Sequence, residues 1–92
     1  MYVILVYDIQ LDVKGKRVLR RVFKICKKYL HHIQNSVFEG EITKAQIEML
    51  HAELNKYIRK DQDSIILFSS RSERWLEKKF WGIDTDFTSN QI

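Results

Sequence analysis

Proline is absent from the 92 residues, glycine occurs three times and cysteine once. No apolar run approaches the roughly 18 residues that a membrane-spanning helix needs. Each absence removes a class of protein. The lone thiol, Cys26, cannot close an internal disulfide, and neither a membrane span nor the layout of a signal peptide is present, so the chain reads as cytoplasmic. Scarce glycine leaves no Gly-rich phosphate loop, which removes support for a regulatory domain that binds a small molecule. His31 and His32 are adjacent and so point to opposite faces of a strand, and His51 lies far along, so the histidines make no metal set. With no proline, repeat or low-complexity tract, residues 1–92 read as one domain, small enough for oligomerisation to help its stability.

Acids are missing where cations gather. The net charge of +4 and pI near 9.3 are only mildly basic. Yet Lys14, Lys16, Arg17, Arg20, Arg21, Lys24, Lys27 and Lys28 are half of the sixteen cations, with no Asp or Glu among them. Val18, Val22, Ile25 or Cys26, and Tyr29 recur at helical spacing through the same stretch. The segment Lys16 to Leu30 therefore reads as an amphipathic helix with one apolar stripe and a cationic remainder. Like charges one turn apart cost a few tenths of a kcal/mol per pair unless an anion relieves them. A solvated face is the plainer reading. The lack of interleaved Glu favours a polyanionic partner held by Lys14, Lys16, Arg17, Arg20, Arg21 and Lys24. Cys26 sits in the apolar stripe and reads as a packed thiol.

Strand-like runs stand at both ends of the core sequence. Tyr2 to Asp8 is rich in β-branched and aromatic residues, uninterruptedly apolar from Val3 to Val6, and closed by a carboxylate; Ser64 to Phe68 is nearly as apolar. Both read as central strands buried on two faces. Between the helix and the second run, His31 to Ile42 alternates with a phase break at Asn35 and Ser36, the mark of a small hairpin. Thr43 with Gln46 makes a capping box for a second helix with Ile47, Leu50, Leu54 and Tyr57 or Ile58 on its stripe, ending near Lys60. Asp61 to Asp63 reads as a charged connection and Ser69 to Glu73 as a polar turn. Trp75, Phe80 and Trp81 lie in a further segment, and 84–92 reads as a loose tail.

This order, strand, helix, two short strands, helix, strand, predicts an α+β fold of the ferredoxin-like βαββαβ kind with an additional C-terminal strand. Two helices cover one sheet face only. The cover for the other face is expected from a second copy, giving a two-fold homodimer packed sheet to sheet, with 75–92 packing on the partner protomer. The aromatic signature of RNA-recognition sheets is absent, and packing in the dimer is the favoured use of Trp75, Phe80 and Trp81 over stacking on bases.

Asp8 is the candidate metal ligand. A lone acid at the carboxyl end of a strand, before a loop, is fixed by the strand and accessible through the loop. One carboxylate is a poor Mg²⁺ site. Two Asp8 side chains across a dimer axis would repel by roughly 4 kcal/mol at 4 Å and an effective dielectric of 20, and a divalent cation relieves that repulsion. Mg²⁺ takes one or two carboxylates together with waters and phosphate oxygens, which suits phosphodiester hydrolysis. The plainer alternative is a strand-end residue that caps the following turn.

The N-terminal run Tyr2 to Ile9, taken with Ile33-Gln34-Asn35-Ser36-Val37-Phe38-Glu39-Gly40-Glu41-Ile42-Thr43, resembles the small CRISPR-associated endonuclease family, the second core protein of spacer acquisition. Lys27-Lys28-Tyr29-Leu30, Asp63-Ser64-Ile65-Ile66 and Gly82 extend the resemblance over nearly the whole chain. His31 and His32 depart from it, since Gly or Trp more often precedes the Gln34 motif. The resemblance implies a ferredoxin-like homodimer, Mg²⁺ (or Mn²⁺) shared between the two Asp8 side chains, and a C-terminal strand crossing to the partner. It implies cleavage of RNA or double-stranded DNA, and a complex in which the dimer bridges two dimers of the CRISPR integrase subunit along captured DNA. Asp8 matches the family's strand-end aspartate; Tyr7, Ser36 and Phe38 match positions of its cleft. The helix arginine is Arg17, Arg20 or Arg21, with Arg17 preferred. A non-catalytic adaptor that does not need Asp8 fits the family equally.

Overall fold

The computed structural model describes residues 1–82, and its elements follow the predicted order: β1 (Tyr2–Asp8), α1 (Gly15–Tyr29), β2 (His31–Gln34), β3 (Val37–Glu41), α2 (Lys44–Asn55) and β4 (Ser64–Ser70). A 3-10 turn, Glu73–Trp75, follows. The strands form one antiparallel sheet in the order β2-β3-β1-β4, the ferredoxin-like arrangement. β1 is central. β4 is an edge strand, which corrects the expectation that both apolar runs are central.

Alternation along β1 sorts its apolar run into two faces. Val3, Leu5 and Tyr7 are buried beneath the helices, where Leu5 faces Phe38 of β3 and Leu67 of β4 in register. Tyr2, Ile4, Val6 and Asp8 share the opposite face with Ile66 and Phe68 of β4. α1 supplies Val18, Val22, Ile25 and Cys26 to the core from one stripe, and Cys26 is fully buried as a packed thiol. Burial pushes that thiol up to about 12, which leaves it neutral and unreactive. Gly40 permits the close approach of Leu30, whose Cδ2 a Cβ there would meet at 3.0 Å.

The hairpin forms as its phase break predicted. Asn35 takes a positive φ of 39°, and the register slips between His32 and Gln34. His32 packs between Phe23 and Phe38, at 4.9 Å from each ring, while His31 is exposed. α2 starts on the expected capping box, with Gln46 N donating to Thr43 Oγ1 at 3.1 Å and Thr43 N donating to Gln46 Oε1 at 2.9 Å. It ends at Asn55, short of the predicted Lys60. Past Asn55 the last turn tightens, with Lys56 N donating to the Glu53 carbonyl at 3.3 Å and Tyr57 N to that of Leu54 at 3.0 Å. The Arg59 amide then goes to Asp63 Oδ2 at 3.0 Å rather than to a further helical turn.

Residues 76–82 carry no strand, and positions 83–92 lie outside the described residues. Lys78 does return to the open sheet face, where its Nζ and the Tyr2 hydroxyl both donate to Glu39 Oε1. Burial works against ionisation of Glu39, but these two donors outweigh it and hold the carboxyl below its ordinary range.

Candidate functional site at the end of the central strand

Asp8 is exposed, the last residue of β1, and paired in register with Ser64. By parity it lies on the sheet face that the helices leave uncovered. That face is apolar next to it: Ile66 is 51% and Phe68 57% exposed. Tyr7, one residue earlier, points the other way. It is buried and 6.0 Å from the fully buried Phe38 ring, and burial pushes its phenol up to about 12. Ser36 stands beside the same strand end, its carbonyl accepting from Tyr7 N at 3.1 Å. Of the five sequence-nominated side chains, Asp8 is open to solvent, Ser36 borders the end of β1, and Tyr7 and Phe38 form the packing beneath it. Arg17 is exposed in the first turn of α1, after the loop 9–14 that leaves Asp8.

The electrostatics of that turn favour anions. No acid lies within it, and Lys14, Lys16 and Arg17 gather there, although the Asp12 carboxylate just before it accepts from Gly15 N at 2.8 Å and takes up part of the positive end of the helix dipole. All eight cations of the 14–28 stretch are exposed, and among the described residues only Lys28 has a carboxylate partner, Glu53 at 2.7 Å. Arg21 lies over the Tyr57 ring at 5.6 Å. The remaining nominated residues, Lys14, Lys16, Arg17, Arg20 and Lys24, have no carboxylate partner among the described residues.

Sequence reasoning missed Arg59 and Asp63. Asp63 sits in the supposed charged connection, yet its side chain is fully buried. Its Oδ1 accepts from Gln10 N at 3.0 Å and Arg59 Nη2 at 3.0 Å, and its Oδ2 from Arg59 N and Nε. Arg59 also donates to the Gln10 carbonyl at 2.8 Å and to Asp12. The guanidinium holds both Asp12 and Asp63 below the ordinary carboxylate range. The Asp-x-Asp of 61–63 gave no periodic signal by which its second acid could be told from a surface charge; the one signal was that Asp63 opens a run shared with the resembled family.

Among the described residues no three His, Cys, Asp or Glu side chains gather into a metal cluster. The donor present is one exposed, hard carboxylate oxygen set. That fits Mg²⁺ or Mn²⁺ as half of a site, since such ions accept one or two carboxylates and complete their shell with water and phosphate oxygens. It does not fit a closed structural zinc site.

A ferredoxin-like α+β protein with an accessible acid at the end of its central strand and an exposed cationic first helix is the class that fold and site define. The chain belongs to the Cas2 family. The family model described as "CRISPR associated protein Cas2" matches residues 1–78. A protein of Fusobacterium nucleatum named CRISPR-associated endoribonuclease Cas2 is 59% identical over 90 residues, covering 98% of this chain and 85% of that one. A relative of the same name from Dictyoglomus turgidum is 42% identical over 84 residues, with 91% of each chain covered. The crystal structure of Streptococcus pyogenes Cas2 at pH 6.5 superposes with a TM-score of 0.73 at 31% identity, over 87% of this chain and all of that one.

Proposed function

We propose that the chain is a metal-dependent endonuclease of CRISPR adaptation that works as a two-fold homodimer, with one divalent ion shared by the two Asp8 side chains. The single observation that carries the reading is the coincidence of Asp8 with the uncovered apolar face. Burying Ile4, Val6, Ile66 and Phe68 against a second copy brings that face, and the strand ends that close it, toward a common axis. The Fusobacterium and Dictyoglomus relatives are both named endoribonuclease, which supports ribonucleolytic chemistry. The substrate proposed is single-stranded RNA, with double-stranded DNA as the other substrate the family resemblance implies.

In this mechanism Asp8 supplies the anchoring carboxylate. Mg²⁺ or Mn²⁺ when bound supplies neutralisation of phosphate charge and activation of water. Arg17 and the cations around it, Lys14, Lys16, Arg20, Arg21 and Lys24, hold the polyanionic backbone. Ser36 borders the strand end through its carbonyl bond to Tyr7, and the Tyr7–Phe38 packing beneath keeps β1 from shifting. Tyr7 stays a neutral phenol across the physiological range and acts as packing rather than as a base.

One observation favours a second reading. The helices cover the sheet face opposite Asp8, so nucleic acid held along the outer side of α1 needs no metal. That suits an adaptor bridging integrase dimers on DNA. Asp8→Ala separates the two: Asp8 is exposed and its loss leaves the core intact, so cleavage is expected to fall by about 10²-fold or more while DNA binding persists. Retained cleavage by Asp8→Ala would leave only the adaptor. Loss of cleavage with normal spacer integration makes the adaptor role the physiological one.

A further inference from the structure

We infer that Arg59 and Asp63 are positioning residues for Asp8, an assignment that rests on the reading of Asp8 as the metal-binding carboxylate. The β1–β4 ladder ends at the Asp8–Ser64 pair. Asp63 immediately precedes Ser64, and its side chain accepts the Gln10 amide at 3.0 Å, which adds a rung past Asp8 made by a carboxylate instead of a backbone carbonyl. Asp8 is thereby fixed on both sides, by its own pairing before and by the Gln10 tether after. Ile9 between them is buried.

Arg59 locks this rung. Its Nε and Nη2 grip Asp63, Nη2 also grips the Gln10 carbonyl, and Nη1 reaches Asp12. Asp12 Oδ1 in turn accepts from Gly15 N at 2.8 Å, at the first residue of α1. The chain closes so tightly here that a Cβ on Gly15 would stand 1.9 Å from the Gln10 carbonyl oxygen. One guanidinium thus sets the strand end that carries Asp8 and the helix turn that carries Arg17. A buried ion pair contributes little net stability relative to an apolar replacement, because desolvation offsets the attraction. What it does contribute here is a single loop geometry, and partners that orient a metal-binding side chain typically change affinity or activity by about 10- to 100-fold when removed.

The test compares full-length Arg59→Met, Arg59→Lys and Asp8→Ala with the unaltered chain, reading Mn²⁺ affinity by electron paramagnetic resonance without substrate and Mn²⁺-dependent cleavage of a single-stranded RNA. Arg59→Met is expected to weaken Mn²⁺ binding and lower kcat by about 10-fold, with partial recovery in Arg59→Lys. Loss of folded protein would lower the number of Mn²⁺ sites and leave their Kd in place, so a shifted Kd reports positioning. An unchanged Kd and kcat in Arg59→Met, with both lost in Asp8→Ala, overturns the inference and leaves the reading of Asp8 intact. If Asp8→Ala itself changes neither, the reading falls and this inference with it. Should Arg59→Met fail to fold, Arg59→Lys decides: it keeps a charge beside Asp63 but loses the fork that also reaches Gln10 and Asp12, so a weakened Kd supports the inference and an unchanged one overturns it.

Discussion

Phe38 and Phe68 stand on the two strands that flank β1, and the first is fully buried while the second is 57% exposed. Their residue type is the same, so composition does not separate them. Parity does: Phe38 shares the face of Leu5, over which α1 and α2 close, and Phe68 shares the face of Ile4 and Asp8, over which no helix of the described residues lies. A face that is apolar and exposed around Ile66 and Phe68, and that ends on a carboxylate, serves association and chemistry; a face equally apolar and sealed serves stability. The position of Asp8 on the first kind of face is what ties its proposed activity to a second copy of the chain.

The comparison breaks most visibly under truncation of each ring. Phe38→Ala is expected to cost about 3–5 kcal/mol of stability, read by urea denaturation at fixed protein concentration. Phe68→Ser leaves the protomer core intact and is expected to shift sedimentation from dimer toward monomer. A stable monomer core in Phe38→Ala, or an unaffected dimer in Phe68→Ser, would remove the distinction between the faces. Ending the chain before Trp75 is expected to weaken the dimer further, since Lys78 already anchors the segment to Glu39 on the open face. A truncated chain that remains dimeric at micromolar concentration would eliminate strand exchange.

The cationic side of α1 sharpens the comparison from a third direction, since its exposed charges belong to neither sheet face. Reversing Arg20 and Lys24 together is expected to weaken DNA binding and flatten the dependence of log K on log salt by about 0.9 for each phosphate no longer held. An unchanged slope would remove α1 from the interface. The smallest effect concerns pH. Arg59 holds Asp12 and Asp63 low, and Lys28 with Tyr29 holds Glu53 low. Depressed folded-state values mean stability that is present above the unfolded value of about 4 and is lost as pH falls through the folded values. Melting temperature is therefore expected to fall below about pH 4, with a shallower acid limb in Arg59→Met than in the unaltered chain.

Much of the fold was legible in residue order. Valines and isoleucines at helical spacing gave α1 almost to the residue, Thr43 and Gln46 gave the start of α2, and the phase break at Asn35 gave the hairpin, because each signal is local. The end of α2 was not legible, since its stripe runs on through Tyr57 and Ile58 while the backbone tightens after Asn55 and the Arg59 amide goes to Asp63. Nor was the edge position of β4, which an apolar run disguised as a central strand. At the site, Asp8 stood out as an acid closing an apolar strand, while its support at Arg59 and Asp63 lay some fifty positions away in sequence, among residues that look like any charged turn.

The sequence by itself determined the elements, their order, the acid at the end of β1 and the cationic helix, since periodicity, capping and charge are properties of neighbouring residues. Only the tertiary structure decided which parity of Tyr2 to Asp8 the helices cover, because residues of both parities are apolar and either would have served as a core face. That choice put Tyr7 inside with Phe38 and left Asp8 outside beside Phe68. It also drew Asp63 into the interior, where burial of a carboxylate is tolerated only because a guanidinium from one side and a loop amide from the other meet it there.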